Sequence, residues 1–461
     1  MMTKSPQNHR GKEKSAYWLL NPASKTESIL LSFFFLLLPT QFGKHFWPDF
    51  SIVSGIRIDY LSPIVYTTDV LLFLLFGFFL IRQVRCIKNG KRKIKKSYIV
   101  FPLLLLLFVI LNVAFSTRPL LSIYGFIKLG EFSALAVYIS RIIRYRNQLE
   151  YIALLFVASS LFESLLAIMQ YINQGSLNGI FYFFGERYFT GDTPGIANAS
   201  IGGTLILRPY ATFPHPNVLS AYLLVAMVLL WNFVLKNNTQ WIKLIGGITL
   251  IIDSIALLLS LSRVTILLWG ILLLVLLWRL FFHQIKLVKT KIIVAACLFA
   301  CIVAVATLPA VHDIILRFSQ SSLADESVTQ RAELLGASWK MIQHHLLLGV
   351  GLDNFIPSLA PLQKPLPLGL YLQPVHNIFV LAFAECGIVG LGLFVYLFIA
   401  TILGLRKQER SFKNVYYVLL LIIIITGMFD HYWLTLQQGQ LLFATIIGLS
   451  WASMRDDKLF L

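Results

Sequence analysis

Long apolar runs, about a dozen of them and each about twenty residues long, divide this chain along most of its length. A helix of that length crosses the hydrocarbon core of a bilayer. The runs contain scattered Gly and Pro and show no alternation of apolar and polar positions, which indicates helices rather than barrel strands. Of the 461 residues, 57% are hydrophobic and 13% are charged, too apolar a balance for a soluble protein. The sequence predicts an all-α, polytopic membrane helical bundle.

The spacing of the runs predicts about twelve spans, with a much longer polar loop between the ninth and the tenth. The predicted organisation is an N-terminal tail at 1–27, spans one to nine within 28–308, the long loop at 309–375, spans ten to twelve within 376–454, and a C-terminal tail at 455–461.

The long loop contains a helical pattern, RAELLGASWKMIQHHLLLGVG, in which polar groups separate a set of apolar side chains. We expect an amphipathic helix along the outer membrane surface, ended by the turn at Gly349 and Gly351. Its apolar residues are Leu334, Leu335, Trp339, Met341 and Ile342.

The positive charge is unevenly distributed. The formal net charge is +18, and 28 of the 39 Lys and Arg residues fall in segments that alternation of the spans places on the side of the N-terminus. The positive-inside rule then places both termini in the cytoplasm and the long loop outside. The cluster RQVRCIKNGKRKIKK is interpreted as an orientation anchor facing anionic lipid, so nucleic acid is not an expected partner.

The cysteines and histidines predict no metal site and no cofactor. The four cysteines are scattered, with Cys297 and Cys301 in one apolar run, so they suggest neither a disulfide framework nor a metal cluster. The adjacent pair His344 and His345 points in two directions on a helix, and no acidic or cysteine partner stands at ligand spacing.

His376 is the strongest candidate for chemistry, because it places a proton-transfer group where the polar loop enters the tenth span. The simpler interpretation is that His376 lies at the membrane-water interface with its imidazole ring partly in contact with water. Asn377 is placed to orient it, and Glu385, about two and a half turns deeper, is a membrane carboxyl group that needs a partner.

Three arginines are candidates for binding an anion at the outer face. Arg208 precedes His215 and Asn217 at the start of the sixth span, where free backbone N–H groups favour an anion. Arg263 lies in an outward turn, against the positive-inside bias, and Arg331 begins the amphipathic helix. Helix capping by Asn217 and snorkelling of the arginines are the structural alternatives.

Five further charged residues lie inside predicted spans. Lys128 and Glu131 are three apart and can pair within their helix, whereas Asp69, Glu163 and Asp253 have no assigned partner. We interpret all five as structural.

Four motifs, in order along residues 200 to 395, resemble the O-antigen ligase and polymerase superfamily. They are RPYATFPHPNVLSAYL, LSLSRVTILL, QRAELLGASWKMI followed by LLLGVGLDNF, and HNIFVLAFAECGIVGLG. The resemblance implies a GT-C-like membrane fold and action on glycans carried by undecaprenyl diphosphate at the outer face of the bacterial inner membrane, in cell-surface polysaccharide biosynthesis.

The family's mechanism implies a role for each candidate residue. Arg208, Arg263 and Arg331 would hold the diphosphate, with His215 and Asn217 beside them. His376 would accept the proton of the acceptor hydroxyl in a metal-independent glycosyl transfer, supported by Asn377 and Glu385.

Several functions fit the sequence. A lipid A-core acceptor makes the protein a ligase, another lipid-linked glycan makes it a polymerase, and a protein acceptor is a third variant. Other polysaccharide assembly proteins are conceivable partners. A transporter or flippase of lipid-linked sugars is the alternative from another class, and a scaffold subunit is a third.

Overall fold

A computed structural model describes residues 25–88, 100–143, 146–201, 204–236, 240–282, 326–362, 372–406 and 410–453. The predicted ninth span near 291–308 and two parts of the long loop, 309–325 and 363–371, lie outside these residues, as do most of the predicted tails. The helices, numbered in chain order, are α1 Lys25–Leu37, α2 Thr67–Lys88, α3 Val100–Ala114, α4 Pro119–Ile142, α5 Arg146–Asn173, α6 Pro216–Lys236, α7 Gln240–Leu259, α8 Arg263–Phe282, α9 Glu326–His344, α10 Phe355–Leu359, α11 Ile378–Leu405, α12 Arg410–Gly427, α13 Tyr432–Thr435 and α14 Gln437–Ser453.

Helices occupy the positions of all the predicted spans that fall on described residues. Five are long and apolar enough to cross a membrane, within α2, α4, α5, α7 and α11, and four shorter apolar helices lie within α3, α6, α8 and α12. The chain is a mostly helical integral membrane protein. The number of crossings stays a prediction.

Within the described residues, three short antiparallel strand pairs add to the helices that the all-α prediction expected. β1 (Gly43–His45) pairs with β4 (Ile64–Tyr66), and β2 (Ile52–Val53) pairs with β3 (Ile56–Arg57), all between α1 and α2. β5 (Asn198–Ile201) pairs with β6 (Thr204–Leu207) before α6. The pairs satisfy backbone groups where the chain lies outside a helix. Strands this short leave little trace in a sequence pattern.

Helix α6 lies at the centre of the bundle. It packs against α5 and α7, and α4 packs against α14. Nearly every described residue in 218–230 is buried, including Tyr222 and Leu224 with no exposed surface. A helix enclosed on all faces is held firmly by its neighbours, so the residue at its start, Asn217, has a fixed position.

Lys128 joins two helices within the bundle. Its ammonium group lies 2.6 Å from a carboxylate oxygen of Glu131, as expected from their spacing on α4, and 3.0 Å from Asp69 on α2. The Gln437 amide of α14 also donates to Asp69. These contacts support a structural role, because buried charges persist when they are paired.

The other two intramembrane carboxyl groups also have partners. Glu163 accepts from the backbone N–H and the hydroxyl of Thr212, at 3.0 and 2.9 Å. Asp253 accepts from Ser160 at 2.9 Å and from Ser164 at 2.7 Å. Glu163 connects α5 to the loop before α6, and Asp253 connects α7 to α5. These contacts support the structural interpretation.

Helix α9 is amphipathic, although its apolar residues do not all face one way. Leu334, Met341 and Ile342 are buried against the bundle, whereas Leu335 and Trp339 are 52% and 58% exposed. The sequence predicted these five residues as the apolar part of an amphipathic helix on the outer membrane surface. The exposed pair points away from the protein, because one side of this helix is already occupied by packing against α11.

Helix α11 is interrupted at Gly387, whose φ is +64°. The interruption leaves backbone groups without helical partners, and the segment 346–351 lies across it. The N–H of Val350 donates to the carbonyl oxygen of Ala384 at 2.9 Å. The break is therefore closed by the chain that follows α9.

Asn112 of α3 fixes this crossing. Its side-chain N–H₂ donates to the carbonyl oxygens of Leu348 and Glu385, at 2.7 and 3.1 Å. Its side-chain oxygen accepts from the N–H of Leu352 at 3.0 Å. One buried amide thus holds both sides of the crossing at the depth of the α11 break.

The crossing at the α11 break predicts that two glycines of this helix differ in their tolerance of alanine. Gly387→Ala is expected to destabilise the protein, because left-handed backbone costs a residue with a side chain about 1–3 kcal/mol and its Cβ would overlap the carbonyl of Leu347. Thermal unfolding of the purified protein in detergent measures the loss.

Gly392→Ala is the matched control, since no heavy atom lies within 4 Å of a Cβ added there. Its stability should be unchanged or raised by up to about 1 kcal/mol. Equal melting temperatures for the two variants would contradict the account of the crossing.

Candidate functional site

His376, Asp430 and His431 form a compact cluster. One nitrogen or oxygen atom from each lies within 4.8 Å of the others. The two imidazole rings are 5.1 Å apart between centroids and cross at 70°. Asp430 is 8% exposed and His431 is 3% exposed. The cluster therefore combines an acidic group and two possible bases in a site that is largely shielded from solvent.

The cluster forms where two helix ends meet. Asn377 caps the start of α11, and its side-chain oxygen accepts from the N–H groups of Phe379 and Val380 at 2.9 and 3.0 Å. Its side-chain N–H₂ donates to the carbonyl of Met428, just after α12, at 3.2 Å. This residue places His376 beside the segment that carries the other two members. Its role in orienting the imidazole stays a prediction.

Asp430 is anchored through both of its oxygens. One accepts from the N–H of His431 at 2.7 Å, and the other accepts from the side-chain N–H₂ of Asn217 at 2.6 Å. The oxygen of Asn217 in turn accepts from the guanidinium of Arg208 at 2.5 Å, and Arg208 donates to the carbonyl of Ser260 at 2.7 Å. A buried anion and a buried cation are thereby linked through one amide.

The electrostatics of the cluster favour a carboxylate among neutral imidazoles. Burial opposes ionisation of Asp430, but the histidines around it and the bond from Asn217 lower its pKa to about 2. Burial lowers the pKa of His431 to about 4. Burial and the positive charge of Arg208 together lower the pKa of His215 to about 3. Burial also lowers the pKa of His376. At neutral pH the imidazoles therefore have lone pairs available to accept protons.

Hydrogen bonds assign the protons of two rings. The Thr435 hydroxyl donates to the carbonyl of His431 at 3.1 Å, so its oxygen accepts the Nδ1–H of the same residue at 2.6 Å. The Nε2 of His431 then carries a lone pair. In His215, Nδ1 accepts from the N–H of Asn217 at 3.1 Å. The Nδ1 of His376 is buried and has no hydrogen-bond partner in the part of the chain that the structure describes.

A cavity of about 1330 Å³ opens onto the cluster. Its polar part includes His215, His376, Asp430 and His431. The rest of the wall is largely apolar and comes from α3, α4, α11 and α14, with side chains that include Leu105, Phe108, Leu129, Phe132, Leu393, Leu397, Ile447 and Trp451. The cavity joins a polar site to an apolar surface, as a ligand with a sugar or phosphate head and a lipid tail requires.

The expected anion-binding arginines have different surroundings. Arg208 is 6% exposed and lies behind Asp430 rather than in the cavity wall. Arg263 begins α8, and its Nε is buried with no hydrogen-bond partner among the described residues. Arg331 is exposed on α9, close enough for its charge to lower the pKa of His376 and His431. The structure thus groups Arg208 and Arg331 with His376, but none of the three arginines lines the cavity.

Glu385 lies deeper, at the α11 break. It is buried, lines the cavity, and accepts from the N–H of Phe355 at 3.3 Å. Within the part of the chain that the structure describes, its carboxyl group makes no hydrogen bond to the histidine cluster. Glu385 therefore supports the loop after α9 more directly than it supports His376.

The sequence analysis missed four residues around the cluster. Asp430 and His431 stand at the end of the apolar run of the eleventh predicted span. Tyr60 places its ring 5.4 Å from the ring of His431. Arg187 lines the cavity, lies over the Tyr210 ring at 5.6 Å and donates to a backbone carbonyl. The sequence signal for Asp430 and His431 was an adjacent Asp-His pair at the end of an apolar run. His376 was selected from a similar position, at the start of such a run.

Two imidazoles and a carboxylate are also a donor set that a metal ion accepts. The sequence predicted no metal, because no acidic partner stands near His344 and His345. The fold supplies Asp430 from a distant segment instead. The expectation of a metal-free reaction stays a prediction.

Comparison with known proteins identifies one family. Residues 248–395 match the family model described as O-antigen ligase. A search of curated proteins found no match. The matched segment includes Arg263, Arg331 and His376, whereas Arg208 and Asp430 lie on either side of it. Over that segment, the resemblance of this integral membrane protein to the O-antigen ligase and polymerase superfamily is confirmed.

Proposed function

We propose that this protein transfers a glycan from undecaprenyl diphosphate to a sugar hydroxyl at the outer face of the bacterial inner membrane. The observation that carries the proposal is the position of His376, next to a buried carboxylate, in the polar part of a cavity whose other walls are largely apolar. The family match supports a ligase or polymerase type of reaction in general.

His376 is the general base in this proposal. Its half-buried, neutral imidazole accepts the proton of the acceptor hydroxyl as the oxygen attacks the anomeric carbon. The new bond joins that oxygen to the sugar, the bond from the sugar to the diphosphate breaks, and undecaprenyl diphosphate leaves. Asp430 stabilises the imidazolium that forms, since the anion lies within 4.8 Å of the ring.

Cationic side chains stabilise the diphosphate in this scheme, so no metal ion is required. Arg331 and Arg263 are assigned to the phosphates from the motif positions. Arg187 joins them, because it lines the cavity. Arg208 acts through Asn217 by compensating the charge of Asp430.

The apolar part of the cavity accommodates the first isoprene units of the carrier. A lipid tail in that part leaves the diphosphate at the polar part, where the histidines lie. A lipid A-core or another lipid-linked glycan then enters from the outer side. The first acceptor defines a ligase and the second a polymerase.

Transport of lipid-linked sugars is the second candidate function. The cavity also reaches Lys128, which is ion-paired within the predicted membrane depth. Charged groups at several depths are typical of transporters. Flipping of a labelled donor in vesicles, with no transfer to any acceptor, would favour this alternative.

His376→Ala is expected to lower the transfer rate about 10²–10⁴-fold, because general base catalysis contributes that much. Purified protein in nanodiscs, with an undecaprenyl diphosphate-linked glycan and a panel of acceptors in the presence of a chelator, measures the loss. The acceptor consumed distinguishes a ligase from a polymerase.

His344→Ala is the control for this substitution, since this histidine is exposed at the end of α9. Its transfer rate should be that of the unaltered protein. Normal transfer by folded His376→Ala would remove this residue from the chemistry.

The acidic limb of the pH–rate profile should move in opposite directions in two variants. Burial is the main cause that lowers the pKa of His376; Asp430 raises it and Arg331 lowers it further. The rate falls when pH drops through this pKa, because the protonated ring accepts no proton. Asp430→Asn should therefore shift the limb to lower pH, and Arg331→Gln should shift it to higher pH.

Transfer rates measured from about pH 4 to 8, a range around the usual histidine pKa, test both shifts. Limbs that coincide with that of the unaltered protein, or that both move the same way, would contradict His376 as the titrating base.

Arg263→Lys should remain impaired at equal membrane abundance, because an ammonium group does not reproduce the two parallel hydrogen bonds of a guanidinium to phosphate. Membrane fractions with matched protein levels, assayed for transfer, provide the measurement. Near-normal transfer by the lysine variant would argue against direct diphosphate binding at this position.

A further inference from the structure

The histidine cluster presents the ligands of a metal site as well as those of a base. Two imidazoles and one carboxylate each offer an atom within 4.8 Å of the other two. Three protein ligands with an open fourth position are the usual arrangement of a reactive zinc centre. Donor atoms around tetrahedral zinc lie about 3.3 Å apart, given bonds of about 2.0–2.1 Å. Side-chain rotations that move the donor atoms by about 1–1.5 Å would bring their separation from 4.8 Å to that of a zinc site.

Hydrogen bonding has already prepared His431 as a ligand. The hydroxyl oxygen of Thr435 accepts a hydrogen bond from the Nδ1–H of His431 at 2.6 Å, which leaves the lone pair of the ring on Nε2. Histidines that bind metals commonly donate their second ring N–H to such a partner, which fixes the tautomer and the ring orientation.

The other two ligands are similarly prepared. Asp430 is held by bonds to both oxygens, at 2.7 and 2.6 Å, and each oxygen keeps a further lone pair. The buried Nδ1 of His376 has no hydrogen-bond partner among the described residues, an unusual state for a shielded polar atom. A bound cation would satisfy this atom and would lie beside the carboxylate.

We propose that His376, Asp430 and His431 bind a zinc-like divalent cation, and that this cation inhibits the protein reversibly. Nitrogen ligands select zinc and neighbouring transition metals, whereas Mg²⁺ and Ca²⁺ require mainly oxygen. The inhibitory part rests on the proposed function, because a metal bound to the ring of His376 removes the lone pair needed for the acceptor proton. The binding part stands on the ligand geometry alone.

The test uses the full-length protein, purified in nanodiscs with a tag that contains no histidine and stripped of metals by chelation. Calorimetry with Zn²⁺ should give one site per chain, and Co²⁺ should give the visible absorption of a tetrahedral nitrogen and oxygen complex. Mg²⁺ in excess should not compete. In parallel, Zn²⁺ should suppress glycan transfer, and a chelator should restore it.

Three variants make the assignment specific. His431→Gln should abolish the Co²⁺ absorption. Thr435→Val removes the partner of Nδ1 and should lower zinc affinity about 10–100-fold, as loss of such partners does elsewhere. The double variant His344→Gln and His345→Gln removes the exposed histidine pair on and just after α9 and should bind zinc normally. Unchanged melting temperatures verify folding.

The outcomes separate the two proposals. Absence of zinc binding, or equal binding by folded His431→Gln, overturns the site. Stimulation of transfer by zinc overturns both the inhibition and the metal-free mechanism. Specific zinc binding by a protein that transfers no glycan even when metal-free supports the site and contradicts the proposed function.

Discussion

The buried negative charge of Asp430 is the constraint on which the site depends. A carboxylate that is 8% exposed persists only with hydrogen bonds and compensating charge. Asn217 supplies one of its hydrogen bonds and links it to the guanidinium of Arg208. Because α6 is enclosed by its neighbours, the link has a fixed geometry. The motif around Arg208 therefore acts on the chemistry from behind the cavity wall, by keeping a carboxylate ionised beside the histidines.

Helix α11 connects the polar site to the apolar cavity. Its capping residue, Asn377, fixes His376 at one end, and its inner face supplies Leu393 and Leu397 to the apolar wall. The break at Gly387 lies between these two parts and is filled by the chain after α9. A single helix thus sets the separation between a reacting head group and its lipid anchor.

The sequence predicted the helices well, because each apolar run carries its own signal independently of the rest of the fold. His376 could also be predicted from the sequence, because it is a polar residue at the start of an apolar run. The sequence did not select Asp430 as a site residue, because its position at the end of an apolar run does not indicate its partner Asn217, which lies 213 residues away. The exposed side of Trp339 and the short strands depend on neighbours that no local pattern records.

The link between Asn217 and Asp430 also bears on the order of assembly during synthesis. Arg208 and Asn217 enter the membrane region early, with half of the chain still to be made, while their acidic counterpart arrives near the end. Until Asp430 is made, the side-chain N–H₂ group of Asn217 lacks this acceptor, and the chain of hydrogen bonds that begins at Arg208 is incomplete. The buried polar network of the site is therefore complete only after α12 has been made.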